Sequence, residues 1–238
     1  MMMDDTVPTW EPVRVPVSGG GEGFRVRRVF CVGRNYAEHA REMGHDAREA
    51  PFFFGKSAEA IVSAAKVSYP PATRDLHHEV ELVVAIGAEV RAIEPGDAAR
   101  HVYGYAVGVD LTRRDLQAEA KRLARPWHLA KSWVGAAPLG PLVPASSCGH
   151  PRRGRIWLAV NGAERQASDL AEMIWSVDEI LAALSRYDTL LPGDLVFTGT
   201  PAGVGPLVAG DRVQAGIDGL PELAFEIGST GSTAGAQA

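Results

Sequence analysis

From Arg27 onward, short runs of β-branched and aromatic residues alternate with breaks rich in glycine and proline. Runs of this kind, bounded by turn residues, predict β-strands. The clearest predicted strands are RVFCV, residues 79–86, VYGYAVGVD, DLVFTGTP, DRVQAGI and ELAFEI. Asn161-Gly162 lies between two strand-like arms and is a strong local signal for a hairpin. Because most connections are short, we predict an α+β, strand-rich fold with a largely antiparallel sheet, curled or sandwiched.

Three short helices are predicted between these strands from capping signals at their first turns. They are residues 36–43 after Asn35, a helix from Thr112 and Asp115 through about Arg125, and a helix after Ser176 and Glu179. The last of these places Val177, Ile180, Leu181 and Leu184 on one face. That spacing is typical of a helix packed against a core.

Two glutamates, Glu79 and Glu81, lie two positions apart in the otherwise apolar stretch LHHEVELVVAIG. On a strand such residues point to the same side, roughly 6.6 Å apart. Buried like charges at this distance repel unless a cation lies between them, so a divalent metal explains the pair. Oxygen ligands favour Mg²⁺, with Mn²⁺ or Ca²⁺ also suited, and Asp110 at the end of the next strand is a natural third ligand.

Two other interpretations of this stretch stay open from the residues alone. A Glu-x-Glu pair is most often the solvent-exposed face of a strand. His77 shares the face of Glu79 and Glu81, and a histidine with carboxylates can also hold Fe²⁺ in an oxygenase. Periodicity does not separate these readings from a magnesium site.

Composition narrows the class of protein. The chain has 238 residues, 46% of them hydrophobic, with 24 Lys and Arg against 29 Asp and Glu, a net charge of −5. This balance does not favour nucleic acid as a partner. Two distant cysteines and no apolar run of membrane-spanning length predict a cytoplasmic protein without a membrane partner. We expect a leader segment over residues 1–26, a catalytic domain over 27–228 and a disordered tail over 229–238.

Five segments, in this order and at these separations, resemble the fumarylacetoacetate hydrolase family, and particularly its acylpyruvase-type and fumarylpyruvate hydrolase members. They are CVGRNYAEHAREMG, LHHEVELVVAIG, GYAVGVDLTRRDLQ, PWHLAKSW and FTGTPAGVGP. The resemblance implies a mixed β-roll fold and a homodimer. It also implies a Mg²⁺ or Mn²⁺ ion held by Glu79, Glu81 and Asp110, which leaves His77 a flanking residue.

The resemblance further implies that His39 and Glu42 activate a water molecule. Being three residues apart on the predicted helix 36–43, they would share a face, and the glutamate would orient the imidazole as a base. Lys131 corresponds to the family's catalytic lysine, and two nearby tryptophans make an exposed position for it improbable. The predicted substrate contacts are Arg34, Arg114, Gln117, Gly199 and Thr200; Lys56 is a weaker correspondence because Ser57 follows it where the family has proline.

The resemblance therefore implies a metal-dependent hydrolase that cleaves the C–C bond of a 2,4-dioxo acid. Fumarylpyruvate is the expected substrate, in the breakdown of gentisate. Its distal carboxylate needs a cation, which Arg34, Arg41, Arg113 or Arg114 could supply. The alternatives are decarboxylation or tautomerisation of oxaloacetate, an isomerase or decarboxylase step in homoprotocatechuate breakdown, and a catalytically silent metal-binding scaffold.

Overall fold

The computed structural model describes residues 10–36 and 49–230, and strands dominate it. The first nine are β1 (Arg14–Val15), β2 (Phe24–Arg25), β3 (Val29–Gly33), β4 (Phe52–Lys56), β5 (Ile61–Val62), β6 (Lys66–Ser68), β7 (Leu76–His78), β8 (Val80–Ile86) and β9 (Val102–Val109). The rest are β10 (Thr112–Arg113), β11 (Ala137–Pro138), β12 (Val143–Pro144), β13 (Arg155–Val160), β14 (Ala163–Asp169), β15 (Leu195–Phe197), β16 (Gly205–Leu207), β17 (Arg212–Ile217) and β18 (Leu223–Gly228).

The helices of the described residues are short. The α-helices are α1 (Arg114–Arg122), α2 (His128–Lys131), α3 (Ala145–Cys148) and α4 (Val177–Leu184). Three 3₁₀ helices span Ala58–Ala60, Pro95–His101 and Leu170–Glu172. None of the helices in this part of the chain is long and apolar enough to cross a membrane.

Two larger sheets carry the fold. One has six strands in the order β12-β9-β8-β15-β3-β4, and the other has five in the order β14-β13-β17-β18-β6. Neighbours are mainly antiparallel, but β15 with β3 and β18 with β6 are parallel. The expected strand-rich α+β class is confirmed. Each of the two larger sheets is mixed, because it contains one parallel pair among antiparallel neighbours.

Strand β8 runs through the middle of the larger sheet, and all seven of its residues are buried. Val80, Leu82 and Val84 contribute to one hydrophobic cluster, whereas Val83 and Ala85 contribute to a second. The strand is therefore covered on both faces, which explains its nearly continuous apolar sequence. Glu81 shares the parity of Val83 and lies in this covered environment with 2% of its surface exposed.

Several local predictions are confirmed. Strands β13 and β14 form the predicted hairpin, with Val160 opposite Ala163 and positive φ angles at both Asn161 and Gly162. Such angles are those of a type I′ turn. Ser176 and Glu179 form the predicted capping box of α4, whose four predicted core residues are all buried.

One predicted cap is wrong. Helix α1 begins at Arg114 and has no side-chain cap; Thr112 is instead in β10, paired with His77. Asp115 accepts hydrogen bonds from the Thr73 hydroxyl and from backbone N–H groups. At Thr112 and Asp115 tertiary contacts outweigh the local signal. The Asn35 amide bridges the backbone of Trp175 and Thr198, and the helix that Asn35 was predicted to cap lies, apart from Tyr36, outside the described residues.

The described part of the predicted leader belongs to the packed structure. Residues 14–25 contain the β1–β2 pair, and Val15 is fully buried in the second hydrophobic cluster. The Ser18 amide donates a hydrogen bond to the Leu142 carbonyl. The predicted helix 36–43, apart from Tyr36, and most of the predicted tail lie outside the described residues. Tyr36 itself forms a β-bridge with Met173.

Candidate active site

The predicted metal ligands lie together at one end of β8. Glu79 occupies the break between β7 and β8, and its carbonyl accepts a hydrogen bond from the Asp110 amide at 2.8 Å. This backbone link places the two residues side by side, and Glu81 follows one pleat later. One carboxylate oxygen from each of Glu79, Glu81 and Asp110 lies within 4.8 Å of the others.

All three carboxylates are buried, with exposures of 6% for Glu79, 2% for Glu81 and none for Asp110. The alternative of a solvent-exposed strand face is therefore wrong. Burial, and then the charges of Asp110 and Glu79, raise the pKa of Glu81 well above its ordinary value. Within the described residues no lysine or arginine forms an ion pair with Glu81, whose Oε2 accepts the Gly199 amide at 2.7 Å. A divalent cation bound among the three oxygens would neutralise this repulsion.

His77 is not among the possible metal ligands, so the structure does not support the iron alternative. His77 directs Nε2 to Asp75 Oδ1 at 2.8 Å, and its Nδ1 lies 3.4 Å from Arg114 Nε. Across residues 10–36 and 49–230, the group of side chains that could hold a metal contains three carboxylates and no histidine. Such an all-oxygen set suits a hard ion such as Mg²⁺ or Mn²⁺.

Lys131 lies directly against the carboxylates, at the C-terminal end of α2. Its ammonium donates to Glu79 Oε2 at 2.8 Å, Asp110 Oδ2 at 2.7 Å and the Thr112 hydroxyl at 2.7 Å. These bonds use all three of its N–H donors. Burial by itself lowers the pKa of Lys131, but Asp110 and Glu79 outweigh it and raise that pKa. The lysine is therefore charged beside these two carboxylates.

Lys56, which the sequence linked to the site only weakly, contacts Asp110 from the other side. Its ammonium lies 2.7 Å from Asp110 Oδ1 and contacts the carbonyl oxygens of Leu111, Lys131 and Ala136. Its side chain is fully buried. Because Lys56 and Lys131 approach different oxygens of Asp110, they fix the orientation of that carboxylate.

Arg114 and Gln117 extend the site along α1. Arg114 donates to Glu79 Oε1 at 2.5 Å and to Gln117 Oε1 at 2.7 Å, and Gln117 is 3% exposed. Both residues line a pocket that opens over the three carboxylates. Its lining residues are Val32, Gly33, Arg34, Phe52, Phe54, Glu79, Glu81, Asp110, Arg114, Gln117, Lys121, Trp127, Lys131 and Thr200.

Thr200 lines this pocket, and Gly199 precedes it in the chain. Gly199 has a φ of +95°, and a Cβ added there would lie 2.6 Å from the Asn35 Cβ, so only glycine fits without movement. The Gly199 amide donates a hydrogen bond to the carboxylate of Glu81, whereas the sequence analysis predicted Gly199 as a substrate contact. Thr200 accepts a hydrogen bond from Gln166 Nε2 at 2.9 Å.

The structure thus brings together eight predicted site residues: Arg34, Glu79, Glu81, Asp110, Arg114, Gln117, Lys131 and Thr200. Gly199 contacts them through Glu81. His39 and Glu42 lie outside the described residues. The sequence analysis missed Lys121 and Gln166. The spacing of Lys121 from Arg114 and Gln117 on one helix could have indicated Lys121. No local signal indicated Gln166.

Comparison with known proteins agrees with this site. Residues 28–228 match the family described as "Fumarylacetoacetate (FAA) hydrolase C-terminal". The chain belongs to the fumarylacetoacetate hydrolase family. The resemblance on which the sequence analysis rested is confirmed.

Three relatives bear on the reaction. A fumarylpyruvate hydrolase from Pseudomonas aeruginosa, solved in complex with Mn²⁺ and pyruvate, is 49% identical, covers 95% of this chain and 100% of its own, and has a TM-score of 0.92. Human mitochondrial oxaloacetate tautomerase FAHD1 is 40% identical, over 84% of this chain and 91% of its own. A 5-carboxymethyl-2-hydroxymuconate delta-isomerase from Mycobacterium smegmatis is 33% identical, over 88% and 82%, with a TM-score of 0.79.

Proposed function

We propose that this protein is a metal-dependent hydrolase that cleaves a 2,4-dioxo acid at its C3–C4 bond, with fumarylpyruvate as substrate and fumarate and pyruvate as products. The observation that carries the proposal is the buried cluster of three carboxylates with Lys131 bonded into it. The solved relative with Mn²⁺ and pyruvate adds support, because pyruvate is the product that this reaction would leave at the metal end of the pocket.

Glu79, Glu81 and Asp110 would hold the ion, Mg²⁺ or Mn²⁺. When bound, such an ion supplies a Lewis acid that polarises a keto oxygen and offsets developing negative charge. Lys131 and Arg114 would stay charged at the edge of the cluster, Lys56 would keep the Asp110 carboxylate in place, and Gln117 would orient the 2-oxo acid through its amide.

The hydrolytic step needs an activated water, and we assign its activation to His39 oriented by Glu42. His39 takes a proton from the water as its oxygen adds to C4. The C3–C4 bond then breaks and leaves its electron pair on C3 as the enolate of pyruvate, and the proton returns to C3. Lys131, held 2.7–2.8 Å from its partners, would stabilise the enolate oxygen through its fixed positive charge.

A kinetic test of the dyad is the H39A variant, with the wild type assayed on fumarylpyruvate and acetylpyruvate in Mg²⁺ or Mn²⁺. We expect hydrolysis to be abolished while the metal affinity, measured by calorimetry, stays unchanged. Near wild-type turnover by H39A would remove the dyad from the mechanism.

A second candidate function is oxaloacetate tautomerisation, because the human tautomerase is 40% identical to this chain over 202 residues. Tautomerisation moves a proton and breaks no C–C bond, so it needs no attacking water. Assay of the wild type on oxaloacetate beside fumarylpyruvate distinguishes the two by product. A protein that binds metal and turns over neither acid would be the silent scaffold. A homodimer, a cytoplasmic location and a place in gentisate breakdown belong to the same proposal.

A further inference from the structure

Helix α1 presents three polar side chains to the pocket in a row. Arg114, Gln117 and Lys121 are spaced by three and four residues, which places them on one face of a helix. All three line the pocket. At a rise of about 1.5 Å per residue, Lys121 lies roughly 10 Å along the axis from Arg114. The row therefore leads from the metal ligands to the outer end of the pocket.

The inner two members of this row already have partners. Arg114 is paired with Glu79, and Gln117 accepts a hydrogen bond from Arg114. Lys121 has a different environment: its ammonium lies 5.2 Å from the centre of the Trp127 ring. The aromatic face and the partial burial hold the charge at the pocket wall without neutralising it.

A second cation is held in the same manner nearby. The guanidinium carbon of Arg34 lies 5.3 Å from the centre of the Phe52 ring, and the Phe52 and Trp127 rings meet edge to face at 5.5 Å. Within residues 10–36 and 49–230, neither Arg34 nor Lys121 forms an ion pair with a carboxylate. Burial, and then the charges of Arg114 and Arg34, lower the pKa of Lys121. Cations that repel one another across a pocket stabilise an anion bound between them.

We propose that Lys121, with Arg34 beside it, binds the distal carboxylate of the acyl group and makes the enzyme selective for diacid substrates. The proposal rests on the proposed function, since the 2-oxo acid must lie at the carboxylate cluster for its far end to reach Lys121. The flat fumaryl double bond would then lie against Phe52 and Trp127.

The other arginines considered for this role are engaged elsewhere or not described. Arg113 donates to the Leu129 carbonyl at 3.0 Å and lies 4.4 Å from the centre of the Trp133 ring, outside the pocket lining. Arg114 is committed to Glu79. Arg41 lies outside the described residues.

The kinetic test compares K121M with the wild type on fumarylpyruvate and on acetylpyruvate, which has no distal carboxylate. Loss of one charged hydrogen bond should lower kcat/KM for fumarylpyruvate by about 10-fold or more, mainly through KM, and leave acetylpyruvate unaffected. K121R should retain most of the kcat/KM for fumarylpyruvate that K121M loses. R122M, which removes the next cation on the helix from an exposed position, should change neither substrate.

A binding test keeps this inference separate from the hydrolase proposal. The ligands are 2-oxoheptanedioate and 2-oxoheptanoate, which have equal chain lengths, lack the 4-oxo group and differ only in the distal carboxylate. Calorimetry in Mn²⁺ should show the wild type preferring the diacid and K121M losing that preference, whether or not any dioxo acid is cleaved.

Two outcomes would overturn the assignment. Equal losses on both substrates, or on both ligands, would mean that Lys121 serves only the packing of α1. A K121M variant that keeps the diacid preference would mean that another group binds the distal carboxylate. If the wild type cleaved neither dioxo acid but preferred the diacid ligand through Lys121, the hydrolase proposal would fail while this inference stood.

Discussion

The two ends of the pocket hold their charges by different means. At the inner end, Lys131, Lys56 and Arg114 are each within 2.5–2.8 Å of an oxygen of Glu79 or Asp110. At the outer end, Arg34 and Lys121 lie over aromatic rings. Buried ion pairs fix geometry and leave an uncompensated charge when one partner is removed. Cations over rings stay available for an incoming anion, so the inner end suits chemistry and the outer end suits selection.

Removing a carboxylate from the inner end should have the largest effect. D110N takes away a proposed metal ligand and the anionic partner of both Lys56 and Lys131. We expect turnover to fall by about 10³-fold or more, since a bound metal contributes several kcal/mol, and calorimetric Mg²⁺ binding to weaken sharply. E89Q, an exposed acid paired with Arg91, is the control and should be neutral. Retained metal binding and activity in D110N would refute the assigned cluster.

Removing the charge of Lys131 should be the next largest effect on catalysis. K131M loses the positive charge nearest the developing enolate, and we expect kcat to fall by about 10²- to 10³-fold. Mg²⁺ should still bind, as calorimetry can show, because the three carboxylates remain. A loss confined to KM would mean that Lys131 only binds substrate.

Replacing Lys56 tests whether the ion pairs at the inner end of the pocket also stabilise the fold. K56M leaves the buried Asp110 oxygen without its partner, and we expect the free energy of unfolding of the metal-free protein to fall by about 3–5 kcal/mol. Lys66, which pairs with Glu226 at 3.1 Å on the surface, is the matched control. K66M should cost only about 0–1 kcal/mol. Urea unfolding of both variants measures the contrast, and equal costs would contradict the comparison.

In the absence of metal, the stability of the protein should depend on pH through Glu81. Because its pKa is raised on folding, the folded protein binds this proton more tightly than the unfolded chain does. Its contribution to stability is complete below the ordinary glutamate pKa and is lost as pH rises through the raised value. With a chelator present, the melting temperature should fall as pH rises above the ordinary glutamate pKa, and less steeply in E81Q. An identical slope in E81Q would assign the effect to other groups.

Trimming the outer end should have the smallest effect. W127L removes the ring under Lys121 but leaves its charge, and a cation–π contact at a partly exposed site is worth about 0.5–1 kcal/mol. We therefore expect kcat/KM for fumarylpyruvate to fall by about 2- to 5-fold, with acetylpyruvate affected less. A loss as large as that in K131M would show that Trp127 supports the inner end instead.

Local sequence signals correctly predicted the features that depend only on residues close together in the chain. The Asn161-Gly162 hairpin and the Ser176–Glu179 capping box formed as predicted, because each depends on contacts within a few residues. The buried cluster of Glu79, Glu81 and Asp110 was also predictable, since charged residues in an apolar stretch require an explanation wherever that stretch lies. The Thr112 cap failed because the Lys131 ammonium takes the threonine hydroxyl as an acceptor.

The sequence by itself determined the strand-rich class, the two glutamates on one side of a buried strand, and the order of polar residues on α1. Only the tertiary structure decided that Lys56 reaches Asp110 across 54 residues of chain and that Lys131 joins Asp110 to Glu79. It also decided that Arg34 and Lys121 share a pocket wall. Periodicity reports which way a side chain points from its own element, whereas a charged partner from another element depends on how the sheets pack.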